Sequence, residues 1–98
     1  MNYEIATICC STRYIEKIIE LYNELTERGY IVLADLTDHD RQEEFNKEMI
    51  DDMHKAKIDM ADVVYFLIKD GYMGESVTNE LNYTREKNKE YMIREIID

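Results

Sequence analysis

The 98-residue sequence has only two cysteines, and they are neighbours at Cys9 and Cys10. Adjacent cysteines pair only with backbone strain, so we expect no structural disulfide. Without further cysteines a secreted disulfide scaffold is excluded, and a reducing cytoplasm is the expected location. The two histidines, His39 and His54, lie far apart in the chain. They do not make a metal site by themselves, so we expect neither a metal nor another cofactor.

Basic residues and long apolar runs are also scarce. The chain has 12 Lys and Arg against 22 Asp and Glu, a net charge of −10. Binding to a polyanion needs clustered cations, so nucleic acid and anionic membranes are disfavoured as partners. The longest uncharged apolar run, Val63 to Ile68, is too short to cross a membrane. We also expect no signal peptide before Tyr3. A small anionic ligand remains compatible with the charge if a local cationic pocket exists.

Length and composition indicate one globular domain over residues 1–98. Hydrophobic residues make up 45% and charged residues 35% of the chain, which is typical of a globular protein. A chain of this size can bury one modest core and has no room for a second domain.

Four apolar runs predict strands near residues 3–9, 30–34, 63–68 and 91–93. Between the first two runs, apolar side chains recur at intervals of three and four residues, which predicts a helix that ends at Gly29. These side chains are Ile15, Ile18, Ile19, Tyr22 and Leu25.

Two further segments have helical periodicity. From Arg41 onward, one helical face carries residues that we expect to fill the core: Phe45, Met49, Met53, Ala56 and Met60. After the third strand, Ser76 can cap a helix whose inward residues are Val77, Leu81 and Thr84.

Alternation of strands and helices predicts a flavodoxin-like α/β fold. The minimal doubly wound sheet has four parallel strands in the order 2-1-3-4, with helices on both faces. In such a sheet, ligands bind outside the carboxyl ends of the strands where the strand order reverses. That point lies between strands one and three, so the loops at residues 10–13 and 69–75 are expected to meet there.

Each of these loops has a binding interpretation and a plain one. Ser11, Thr12 and Arg13 follow a strand and open a helix, where backbone N–H groups, hydroxyls and a guanidinium can bind an anion. They can equally be a helix cap with a solvated arginine. Gly71 and Gly74 allow either a close approach to a ligand or an ordinary turn. Glu80 can point back to the strand ends, although the helix dipole alone favours a glutamate there.

Two segments resemble a known family. ICCSTR at residues 8–13 and HKAKIDMADVVYFLIKDGYMGESVTNELNY at residues 54–83 are similar to the nucleoside 2-deoxyribosyltransferase-like family, which includes deoxynucleoside 5′-monophosphate N-glycosidases. The similarity covers nearly the whole chain. The second segment is long and specific, whereas the first alone is a weak signal.

The resemblance implies a role for several residues. Glu80 takes the position of the nucleophile that attacks the anomeric carbon of a 2-deoxyribose and displaces the base. Ser11 and Arg13 match the segment that reads a 5′-phosphate. The other implied substrate-binding residues are Cys10, Thr12, His54, Asp70, Gly71, Tyr72, Gly74 and Ser76. His54 is equally explained as a helix histidine at the domain edge.

Two functions stay open at this point. The first is an N-glycosidic-bond enzyme, a hydrolase or deoxyribosyltransferase, acting on nucleosides or their 5′-monophosphates. The second is a protein that binds a nucleotide or nucleotide-derived signal without turnover. His54 and Gly74 depart from the residues typical of the enzymes and favour the second, whereas Glu80, Ser11 and Arg13 favour the first. We also expect a homo-oligomer, most simply a dimer, because a four-stranded sheet covers its faces poorly and tyrosines suit a partly wet interface.

Overall fold

Four strands form the sheet, and three helices pack on it. The computed structural model describes residues 1–37 and 46–97. The strands are Ile5–Cys9 (β1), Ile31–Ala34 (β2), Val63–Ile68 (β3) and Glu90–Glu95 (β4). The helices are Ile15–Glu27 (α1), Lys47–Met60 (α2) and Glu75–Glu86 (α3), and a short 3-10 turn at Thr12–Tyr14 precedes α1.

The strand order β2-β1-β3-β4, with all pairs parallel, confirms the predicted topology. In the central register, Ala6 lies between Val32 on β2 and Val63 on β3. The strand order reverses between β1 and β3, so the carboxyl ends of these two strands border the crevice expected of a doubly wound sheet.

The helices cover both faces of the sheet, as predicted. Side chains on β3 alternate between the faces, as the period of a strand requires. Tyr65 packs in a core with Ile18 and Leu25 of α1. Phe66 packs on the opposite face with Ile58 of α2 and Leu81 of α3. All six residues are buried, so the fully apolar run at 63–68 reflects burial on two sides.

The predicted buried face of α2 is wrong. Met49, Met53 and Met60 are 50%, 48% and 58% exposed. The helix instead turns Ile58 into the core and His54 toward the strand ends. Because the inward face contains this polar side chain, periodicity of apolar residues alone selects the wrong side of the helix.

The boundaries of α2 also differ from the prediction. The helix begins at Lys47, and the Asn46 side chain caps it by accepting a hydrogen bond from the Met49 N–H at 3.2 Å. Arg41 and Phe45, which the sequence placed in this helix, lie outside the described residues, as does His39.

The remaining helices follow the prediction more closely. In α1, Ile18 and Leu25 are buried as expected, but Ile19 and Tyr22 are exposed and Leu21 is buried in their place. Gly29 follows the helix with φ of +90°, a conformation that favours glycine. In α3, the three residues predicted to face inward (Val77, Leu81 and Thr84) are all buried.

Within the described part of the chain, no helix is both long enough and apolar enough to cross a membrane. The expected homo-oligomer stays a prediction.

The orientation of α2 can be tested by two truncations in the same helix. Ile58→Ala should lower the free energy of unfolding by about 2–4 kcal/mol because it leaves a cavity in the core. Met53→Ala, on the exposed side, should cost less than about 1 kcal/mol. Urea denaturation followed by circular dichroism measures both. A larger loss for Met53→Ala than for Ile58→Ala would contradict the observed orientation.

Candidate functional site

A cleft of about 600 Å³ opens at the carboxyl ends of the strands. Its volume is in the range of small-molecule sites. Seven of the eleven predicted site residues line it: Cys10, Ser11, Thr12, His54, Gly74, Ser76 and Glu80. The other four, Arg13, Asp70, Gly71 and Tyr72, are not part of its lining. The topology therefore brings the end of β1, the middle of α2 and the start of α3 to one place.

An imidazole between two carboxylates is the central feature of the cleft. His54 Nε2 lies 3.1 Å from Asp35 Oδ2, and His54 Nδ1 lies 3.4 Å from Glu80 Oε1. The side chains of Asp35, His54 and Glu80 are 15%, 21% and 13% exposed. Because both ring nitrogens face carboxylate oxygens, the ring satisfies both contacts only when both nitrogens carry protons.

This arrangement shifts the pKa values of two of its members. The hydrogen bond with Asp35, followed by that with Glu80, raises the pKa of His54 from 6.5 to about 9. Burial alone would raise the pKa of Asp35, but hydrogen bonds from His54 and Thr37 outweigh it and hold that pKa well below its usual range. At neutral pH the ring is therefore an imidazolium, and it lies between the ionised carboxylate of Asp35 and the carboxyl group of Glu80.

The backbone places each of the three residues. Asp35 is the first residue after β2, and its Oδ1 accepts a hydrogen bond from the Thr37 N–H at 2.9 Å. His54 lies in the middle of α2, and Glu80 lies in the second turn of α3. The Thr84 hydroxyl donates to the Glu80 carbonyl oxygen at 2.7 Å, an interaction within the helix that leaves the carboxylate available to the cleft.

Sequence reasoning missed two residues of this region. Asp35 was not singled out, although its position directly after a parallel strand is the signal that could have identified it. Lys57 was not singled out. Its ammonium donates to the Ala34 carbonyl oxygen at 3.2 Å, and its own carbonyl accepts from the Thr7 hydroxyl at 2.8 Å. Lys57 thus connects α2 to the middle of β1 and to the end of β2.

The Ser11–Arg13 segment forms a cap. Ser11 Oγ accepts a hydrogen bond from the Arg13 N–H at 3.3 Å and opens the 3-10 turn. Arg13 itself is exposed. The plain interpretation of this segment as a cap is therefore correct, and the implied phosphate contact of Arg13 stays a prediction.

The segment at residues 69–75 forms a tight turn. Asp70 and Gly71 have positive φ of 54° and 71°, and the Gly71 N–H donates to Glu95 Oε1 at 2.7 Å. Tyr72 is 73% exposed. Gly74, not Ser76 as predicted, is the N-cap residue of α3. The first part of this segment is thus an ordinary turn attached to β4, and only its end reaches the cleft.

The two cysteines do not fit a role as nucleophiles. Burial, followed by the nearby Glu80 carboxylate, raises the pKa of the Cys10 thiol to about 11. The same causes raise the pKa of Cys9 well above its ordinary value. Since the thiolate is the reactive form, both thiols are inert at neutral pH.

Within residues 1–37 and 46–97, no group of three or more His, Cys, Asp or Glu side chains is arranged to hold a metal ion. Asp35 and Glu80 contact opposite nitrogens of the His54 ring, so their donor atoms do not converge on one point.

Compared with known proteins, the chain matches no family model, and no curated protein is significantly similar to it.

The imidazolium makes a testable contribution to stability. A pKa raised from 6.5 to about 9 means that folded and unfolded states are both protonated below pH 6.5, where the stabilisation is complete. Between pH 6.5 and 9 only the unfolded state loses its proton, so the stabilisation declines and is gone above pH 9. Since the ring is partly exposed, screening by solvent limits the effect to about 1–2 kcal/mol.

Urea denaturation of the parent and of His54→Asn at pH 6 and pH 9.5 measures this contribution. The free energy of unfolding of the parent should exceed that of the variant by about 1–2 kcal/mol less at pH 9.5 than at pH 6. An advantage that stays constant or grows with pH would show that the ring is not held as an imidazolium.

Proposed function

We propose that the chain is an N-glycosidic-bond enzyme that acts on a nucleoside, with Glu80 as the nucleophile. The observation that carries this proposal is the Glu80 carboxylate, 13% exposed and in contact with the His54 imidazole, inside a cleft at the strand ends. Such a cleft at the reversal of strand order is the usual ligand site of this fold. The likeness of residues 8–13 and 54–83 to the nucleoside 2-deoxyribosyltransferase-like family supports the same chemistry.

The reaction divides into two displacements. A Glu80 oxygen bonds to the anomeric carbon, and the base departs with the electrons of the carbon–nitrogen bond. The resulting glycosyl ester then reacts with water, which gives hydrolysis, or with a second base, which gives transfer. Water or the second base gives up one proton to solvent as it attacks, and the departed base takes up one proton from solvent. The electrons of the ester bond return to the Glu80 carboxylate.

The distance between His54 and Glu80 indicates what the histidine does. In retaining glycosidases the nucleophile and the acid stand on opposite sides of the scissile bond, about 5–5.5 Å apart. His54 Nδ1 is only 3.4 Å from Glu80 Oε1, which is too close for a sugar and its base to lie between them. We therefore propose that His54 orients the Glu80 nucleophile and does not protonate the departing base.

The charge of the cleft favours an uncharged substrate. Among the described residues, two cationic side chains, Lys47 and the imidazolium of His54, line the cleft together with four carboxylates: Asp35, Asp51, Glu75 and Glu80. A net negative lining repels a phosphate, and Arg13 is not part of this lining. We therefore propose a nucleoside, and not its 5′-monophosphate, as the preferred substrate.

One observation favours a second candidate, a protein that binds a nucleoside without turning it over. The ion pair with His54 draws charge from Glu80, and a carboxylate paired in this way is a weaker nucleophile. The two candidates differ only in whether the base is released.

The test is to replace Glu80 with Gln. Base release from a panel of 2-deoxynucleosides should fall by at least about a thousandfold because the nucleophile is lost, while nucleoside binding changes little. Glu75→Gln removes a carboxylate from the same cleft and should cost less than about tenfold. In the parent, intact-protein mass spectrometry after rapid quenching should detect the added deoxyribosyl group. Unchanged release by the Gln variant excludes the covalent mechanism, and saturable binding without release by the parent establishes the second candidate.

The preference for an uncharged substrate gives a separate prediction. The parent should release base from a deoxynucleoside with a higher kcat/KM than from the matching 5′-monophosphate, and Arg13→Ala should change the nucleoside value by less than about twofold. If the monophosphate is preferred and Arg13→Ala removes that preference, a charge-assisted phosphate contact worth about 1.5–3 kcal/mol exists at Arg13. Our assignment of the substrate class would then be wrong.

A further inference from the structure

Asp35 faces the same imidazole as Glu80, at the opposite ring nitrogen. Its Oδ2 lies 3.1 Å from His54 Nε2, which is shorter than the 3.4 Å contact on the Glu80 side. Its other oxygen is held by the Thr37 N–H. Asp35 is thus a fixed acceptor at the end of β2, and the ring lies between it and Glu80.

We propose that Asp35 is a positioning residue that acts through His54 on Glu80. The Asp35 carboxylate accepts a hydrogen bond from His54 Nε2 and stabilises the imidazolium. The second N–H of the ring, at Nδ1, then donates to the Glu80 carboxylate. This inference rests on the proposed function for its catalytic consequence, whereas the coupling of the three side chains does not depend on turnover.

Proton counting explains why Asp35 is needed. A neutral imidazole has one N–H, and beside the shorter Asp35 contact that proton stays on Nε2. Nδ1 then turns a lone pair toward the Glu80 carboxylate, which repels it. Only the imidazolium donates to both carboxylates, so the position of Glu80 depends on the protonation of His54, and that protonation depends on Asp35.

Other charges around the ring act on it less directly. Among the described residues, the titratable and charged side chains that share its surroundings are Asp35 after β2, Glu75, Glu80, Tyr83 and Glu86 on α3, Cys9 and Cys10 at the end of β1, and Lys47, Asp51, Lys55 and Lys57 on α2. Both thiols are neutral at neutral pH, and the Lys57 ammonium bonds to the Ala34 carbonyl oxygen. The two carboxylates with ring contacts therefore dominate.

Nuclear magnetic resonance of the protein with labelled histidine and glutamate tests the coupling without a substrate. In the parent, the His54 ring titrates near pH 9, and the Glu80 carboxyl signal moves at the same pH. Asp35→Asn should lower the proton affinity of His54 at least about tenfold and move both transitions together to lower pH. The spectrum of His39→Gln retains only the His54 ring signal and therefore identifies it in the parent.

Asp51→Asn is the matched control. It removes the same charge from the lining of the same cleft. The pKa of His54 should fall by less than half as much as it does in Asp35→Asn. Asp35→Glu should restore part of the parent behaviour. If Asp35→Asn does not fold, Asp35→Ser serves as the second variant, with the backbone spectrum as the check of folding.

Base release supplies a second measurement. The ratio of parent to Asp35→Asn kcat should rise at least about threefold from pH 6 to pH 8.5, because the variant loses most of its imidazolium over that interval whereas the parent keeps most of it. KM should change little.

The outcomes separate the two proposals. A His54 ring that titrates near pH 6.5 in the parent, or is unmoved by Asp35→Asn, overturns the positioning role even if base is released. A kcat ratio that does not change with pH overturns it as well. If the parent releases no base, the proposed function fails, while a concerted shift of the His54 and Glu80 signals still establishes that Asp35 acts on Glu80 through the ring.

Discussion

Burial of β3 on both faces is the constraint on which the rest of the structure depends. Phe66 and Tyr65 point to opposite sides, and each needs a cover of apolar side chains. One helix on one face and two on the other supply it, which requires parallel strands joined by crossover helices. The same arrangement collects the carboxyl ends of the strands at one edge. The cleft is thus a consequence of how the central strand is covered.

The charged groups at that edge are stable there because each has a partner. Taking an imidazolium and two carboxylates out of water costs free energy that a single contact does not return. Here Asp35 accepts from both Thr37 and His54, and His54 contacts a carboxylate on each side. Removing any one member leaves a partly buried charge with fewer partners. The electrostatic requirement of the site therefore also decides which face of α2 turns inward.

Strand positions, strand order and the covering of both sheet faces were predictable because they follow from apolar runs and their alternation with helical segments. The candidate site was predictable in part. Glu80, His54 and Ser11 come together because the topology forces their segments to meet. Asp35 was missed because one acidic residue in a polar loop has no local pattern that distinguishes it. Met53 was assigned to the core because periodicity identifies an apolar face without saying what that face meets.

The sequence by itself determined the elements and their order, since these depend on local periodicity and on the burial that an uncharged run such as Val63 to Ile68 demands. It also determined that the segment after β1 and the start of α3 meet at the sheet edge. Only the tertiary structure decided the rotation of α2 about its axis and the pairing of Asp35, His54 and Glu80. These depend on distances between residues 19 and 26 positions apart in the chain. Such distances are set by how whole helices pack on the sheet, which no local pattern encodes.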